Sequence, residues 1–137
     1  MTDIEIAKRN LEGHSICLCK NGEFFTDDGR GISPMMRFIS QGRDLDGYSA
    51  ADVIVGKAAA MLFVKAKIAS VYGVVMSKSA AEFLEKNNTP FSYKELTEKI
   101  INRRGDGVCP MEQTVENIDD CNIAYNALRE KLKTMNK

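Results

Sequence analysis

The residues best suited to chemistry in this chain stand around Cys109. It precedes Pro110, and Glu112 falls within the first turn of the helix that a proline at a first helical position would begin. A thiol at a helix start gains thiolate character from the dipole, and Arg103 and Arg104 in the preceding loop would reinforce it. Glu112 could accept a proton there, although a carboxylate beside a thiol also raises the thiol's pKa. Such a set would make Cys109 the nucleophile of a metal-free hydrolase or transferase, with Glu112 or Asp52 assisting. The plainer account is a packed thiol next to an ordinary acidic first turn, since free cysteine is among the most buried residue types.

A second group suits binding. Lys57 falls early in an apolar stretch, where a helix dipole disfavours a cation. Its ammonium must meet a carboxylate such as Asp52, face an anionic ligand in a polar cavity, or snorkel to water. The loop Gly29-Arg30-Gly31-Ile32-Ser33-Pro34 runs into a helix start, and Arg30, Gly31 and Ser33 could hold a phosphate there, or simply form a turn. The loop is neither a Walker A sequence nor a dinucleotide fingerprint, so no cofactor is implied. Ser77 and Ser79 follow a strand-like run, at the end of a sheet where ligands tend to bind, though serine is also a common cap. Cys17 and Cys19 share one face of a strand as small core residues, with His14 nearby as a remote metal alternative.

These residues need elements to position them. From Ala50 to Ala66 only Asp52, Gly56, Lys57 and Lys65 interrupt an apolar run, which predicts a helix buried nearly all round and capped by Ser49. Ile68–Met76 is β-branched and almost uncharged, the pattern of a strand covered on both faces. Before this unit, Ile4, Ala7 and Leu11 predict a short helix, and Asn21-Gly22 between strands at about 14–20 and 23–27 predicts a hairpin. Ser33 and Pro34 open a further helix. After it, Ser77 caps a helix over 78–86, Phe91-Ser92-Tyr93 alternates as a short strand, and 95–102 reads as a helical turn with Leu96 and Ile100 buried. Residues 103–107 form a loop, and helices open near Cys109 and over 122–135. The order predicts a single α/β domain over residues 1–137, a three-layer sandwich whose mixed sheet begins with an antiparallel hairpin.

Composition excludes several functions. Nineteen basic and nineteen acidic residues cancel, which removes the usual footprint of a nucleic-acid or anionic-membrane binder. Ala58–Val64, the longest charge-free piece of the apolar helix, is far shorter than the roughly 20 residues of a membrane span. A polar, amphipathic start with no apolar signal region and four cysteines read as reduced thiols predict a cytoplasmic protein.

A hairpin followed by a buried helix, a central strand, a helix and another strand is similar to the cytidine deaminase-like fold. More narrowly, YSAADVIVGKAAAML together with INRRGDGVCPME resembles an uncharacterised prokaryotic domain-of-unknown-function family within that superfamily. The resemblance implies the fold, and a homodimer by analogy with oligomeric relatives; it implies no activity. Zinc deaminases place His or Cys two residues before a catalytic Glu at one helix start, and Pro-Cys-x-x-Cys at the next. Here the helix starts are Ser49-Ala50-Ala51-Asp52 and Ser77-Lys78-Ser79-Ala80, with no thiol or imidazole, so no metal site is expected. The expected function is therefore binding of a small anionic ligand such as a nucleotide, with Lys57 and Arg30 as its charge partners and Arg103 nearby. The alternative is the Cys109 enzyme.

Overall fold

The computed structural model describes residues 1–102 and 104–135. In chain order the elements are α1 (Asp3–Asn10), β1 (Ile16–Lys20), β2 (Glu23–Asp27), α2 (Ser33–Ser40), β3 (Ser49–Val55), α3 (Lys57–Lys65), β4 (Ser70–Ser77), α4 (Lys78–Lys86), β5 (Phe91–Thr97), α5 (Pro110–Val115) and α6 (Cys121–Met135). The strands form one open mixed sheet in the order β2-β1-β3-β4-β5. β1 runs antiparallel to both β2 and β3, while β3, β4 and β5 run parallel.

The hairpin forms where Asn21-Gly22 predicts it, with both residues at positive φ (54° and 80°). Asp3, at the start of α1, accepts the backbone N–H groups of Asn21 and Gly22 at 3.0 Å each, tying the first helix to this turn. α1 then covers one face of the sheet, where Ala7 and Leu11 pack with Cys17, Cys19 and Ala51. The larger core lies on the other face beneath α2, α3 and α4, and α5 and α6 pack around α3.

The apolar stretch after Tyr48 is not one helix. Ser49–Val55 is the central strand β3, and the helix begins only at Lys57. Three β-branched or extended-favouring positions, Val53, Ile54 and Val55, lead into Gly56, whose extended backbone (φ −96°, ψ −179°) breaks strand from helix. Alanine favours a helix locally, but here Ala50 and Ala51 lie fully buried between β1 and β4, where small side chains let both layers approach. Ser49 accordingly caps nothing; its hydroxyl meets that of Ser70 on the neighbouring strand at 2.8 Å. The helical half of the expectation holds, because Ala58 to Phe63 are all buried in α3.

Two further expectations change. Residues 95–97 extend β5 instead of turning helical, since Glu95, Leu96 and Thr97 pair with Val75, Met76 and Ser77 of β4. At α2, Ile32 occupies the capping position without a side-chain bond, and Ser33 is already helical. Ser77 does cap α4, its hydroxyl accepting the Ala80 N–H at 3.1 Å. Among the described residues no helix is long and apolar enough to cross a membrane.

Candidate functional site

Because β3, β4 and β5 are parallel, their carboxyl ends open on the same side of the molecule, and the starts of α3 and α4 follow directly from β3 and β4. α5 returns to this end from far along the chain. Between these elements is a cleft of about 610 Å³, lined by Lys57 of α3, by Ser79, Glu82, Phe83 and Lys86 of α4, by Glu98, Lys99 and Ile100 after β5, and by Val108, Glu112, Gln113, Glu116 and Asp119 around α5.

The interior end of the cleft is organised by Glu112. Its two carboxylate oxygens accept the N–H groups of Lys57 at 2.7 Å and Ala58 at 2.9 Å, the first two residues of α3. Helix-start N–H groups lack intrahelical partners, and a carboxylate there also meets the favourable end of the dipole. The contact depends on Gly56: a Cβ at that position would stand 2.5 Å from the Glu112 carboxyl carbon. Burial pushes the Glu112 pKa above the ordinary carboxyl range, against the opposing pull of the Ala58 and Lys57 N–H groups and the Lys57 charge.

Lys57 is engaged twice. Its backbone donates to Glu112, and its ammonium donates to the Glu116 carbonyl and the Asp119 carboxylate at 3.3 Å each. The side chain is only 13% exposed, so of the three readings from sequence a carboxylate partner describes it better than snorkelling. The partner is Asp119, not Asp52.

Asp52 lies in mid-sheet, opposite Ile16 of β1 and Gly73 of β4, and does not line the cleft. Burial raises its pKa to about 8, against N–H groups of Ile54 and Val53 that favour the charged form. Cys109 caps α5 through its backbone position, and its side chain packs against the main core. Its N–H donates to the Ile100 carbonyl at 3.0 Å. Among the described residues no hydrogen bond joins Cys109 to Glu112 or Asp52, and both Glu112 oxygens already serve α3. The three residues proposed for catalysis thus sit in three different environments.

Of the residues proposed for binding, Lys57 and Ser79 line the cleft, and Ser77 sits beneath, fully buried, its hydroxyl 3.1 Å from that of Ser79. Arg30, Gly31 and Ser33 do not reach it. They follow β2, the strand at the opposite edge of the sheet, where Asp27 accepts the Gly29 N–H at 2.8 Å and pairs with Arg37. Arg103 lies outside the described residues. His14 is bound to Asp28 at 2.7 Å, while Cys17 and Cys19 are buried under α1, and burial pushes the Cys17 thiol up to about 11. Among the described residues no group of three or more His, Cys, Asp or Glu side chains is disposed to hold a metal ion.

Of the wall formed by α4, Ser79 was singled out from sequence but Glu82, Phe83 and Lys86 were not, although the four recur at the spacing of a single helical face. The acidic wall from Glu112 to Asp119 had no local signal, because its partners lie more than fifty positions away.

A family model described as "TM1506: Domain of unknown function (DUF1893)" matches residues 6–132. The crystal structure of a DUF1893 family protein (TM1506) from Thermotoga maritima superposes with a TM-score of 0.78 at 26% sequence identity, covering 85% of this chain and 80% of that one. No curated protein matches.

Proposed function

We propose that this chain, which belongs to the DUF1893 family of unknown function, is a binding domain for a small polar ligand, held in the cleft at the carboxyl ends of β3, β4 and β5. The observation that carries this reading is the convergence of Lys57, Ser79 and Glu112, brought from three separate segments onto one cleft. Open α/β sheets place their ligands at this end, outside the strand termini.

The cleft's charge narrows the ligand. Three lysines, Lys57, Lys86 and Lys99, face five carboxylates, Glu82, Glu98, Glu112, Glu116 and Asp119. The two features that would suit a phosphate are already engaged: Glu112 takes the first N–H groups of α3, and the Lys57 ammonium is held by Asp119 and Glu116. Arg30, the other charge partner expected from sequence, stands elsewhere. In place of the small anionic ligand expected from sequence, the cleft suits a neutral or amine-bearing molecule of nucleoside size. Phe83, Ile100 and Val108 offer a flat heterocycle apolar contact, and the carboxylates accept its N–H groups.

This choice agrees with reading the fold as cytidine deaminase-like with altered corners. The helix starts that face the cleft are Gly56-Lys57-Ala58 and Ser77-Lys78-Ser79, neither of which supplies a thiol or an imidazole. In place of a metal, Glu112 closes the first corner and the Ser77–Ser79 hydroxyl pair occupies the second. The test is a thermal-shift panel of nucleosides, amine-bearing heterocycles and the corresponding nucleotides. Stabilisation by unphosphorylated members is expected; stabilisation by nucleotides alone overturns the ligand class.

A further inference from the structure

The two walls of the cleft differ in length and in the number of side chains they bury. α4 buries Ala80, Phe83 and Leu84 and is capped by the fully buried Ser77, so that wall is part of the core. α5 has six residues and buries only Met111 and Val115. After it, residues 116–120 lie at the surface, with only Ile118 packed against the core.

Besides its packing against α3 and α6, this wall is held by polar contacts that converge on the start of α3. Glu112 binds the Lys57 and Ala58 N–H groups, and the Lys57 ammonium binds the Glu116 carbonyl and Asp119. Both ends of the segment have separate anchors. Ahead of it, Ile101 and Val108 form an antiparallel bridge and the Cys109 N–H reaches the Ile100 carbonyl. Behind it, Asp120 caps α6 through the N–H groups of Asn122 and Ile123 at 2.8 and 2.9 Å.

We propose that residues 110–119 form a strap, hinged at the Ile101–Val108 bridge and at Asp120 and clasped by Glu112, which opens as a unit and widens the cleft while the sheet, α3 and α4 stay closed. The role of the strap as an entrance rests on the cleft being the binding site; its opening does not. Elements with few buried apolar side chains open locally at a free energy well below that of global unfolding. The clasp is suited to release, because docking Glu112 takes a carboxylate out of water and opening returns it. Gly56 supplies the clearance that lets the clasp close.

The experiment is amide hydrogen exchange on the ligand-free chain. The Gln113 N–H, bonded to the Cys109 carbonyl at 3.1 Å, and the Lys57 and Ala58 N–H groups held by Glu112 report opening. They should exchange on the order of 100-fold faster than amides in the middle of α3 and β4. Glu112→Gln should accelerate them by a further ~10-fold, comparable to loss of a helix cap. Asp119→Asn, at an exposed position that leaves the core intact, should accelerate Gln113 by about twofold, as for a surface ion pair, with an unchanged melting temperature. The proposal is overturned if these amides exchange at the same rate as α3 and β4, or if both substitutions accelerate every amide equally. No ligand enters the measurement, so a strap that opens beside a cleft that binds nothing, and a cleft that binds under a fixed strap, give different results.

Discussion

Glu112 and Lys57 stand 55 positions apart in the sequence, yet a carboxylate oxygen of the first accepts the backbone N–H of the second at 2.7 Å. This long-range cap fixes where α3 begins and sets one wall of the cleft, so substitutions on either side of it should act together.

Gly56→Ala places a methyl group 2.5 Å from the Glu112 carboxyl carbon, and the carboxylate must move off both N–H groups. The expected cost is about 1–3 kcal/mol, the range for leaving buried polar groups without partners. Glu112→Ala removes the obstacle and the bonds together, so the double variant should be less destabilised than the two single variants added, by about 1 kcal/mol. Urea denaturation of the four proteins measures this, and strict additivity would separate Gly56 from Glu112.

Asp52 makes stability depend on pH. Its pKa is raised from 3.8 to about 8 in the folded chain because burial disfavours the charge. The native state therefore holds a proton that the unfolded chain releases at lower pH. The stabilisation is complete below the unfolded pKa and is lost as pH rises through about 8, at a limiting slope of ~1.4 kcal/mol per pH unit. Glu112, also shifted upward, acts in the same direction. Asp52→Asn keeps the side-chain shape without a titrating proton, so the urea midpoint should fall less between pH 5 and pH 8 than in the wild type. An identical slope would place the proton elsewhere.

Gly73 of β4 is required by its neighbour. A Cβ there would lie 2.9 Å from Val55 Cγ2 and 3.1 Å from the Val75 carbonyl oxygen. Gly73→Ala should cost roughly 1–3 kcal/mol through overpacking. Adding Val55→Ala should recover part of that loss, despite the small cavity it leaves, because the closest clash is with a side chain. A melting temperature unmoved by Gly73→Ala would contradict this packing.

The elements legible from sequence were those with a local physical signature. Asn21-Gly22 announced its own turn and Ser77 its cap on the helix over 78–86. Ser49–Val55 was misread because two alanines and an aspartate suit a helix locally, whereas burial between β1 and β4 decides the outcome. Residues 95–97 were misread for a similar reason, since pairing with β4 outweighs a polar, weakly strand-like sequence. Lys57 and Ser79, both singled out from sequence, line one cleft, and so does Glu112, which the sequence singled out for another role. Its docking on α3 is a tertiary event that no spacing within residues 108–116 encodes. Asp52 was expected at a helix start and became a buried strand carboxyl once that helix was displaced by seven residues, from Ala50 to Lys57.

The most direct test of the cleft is a backbone-amide NMR titration of the wild-type chain with a nucleoside and, separately, with its monophosphate. The account predicts saturable shifts for the nucleoside at Lys57, Ser79, Phe83, Glu112 and Gln113, and weaker binding of the monophosphate. Shifts confined to the Arg30–Ser33 loop or to the α1 face, or tighter binding of the monophosphate at Lys57, would contradict it.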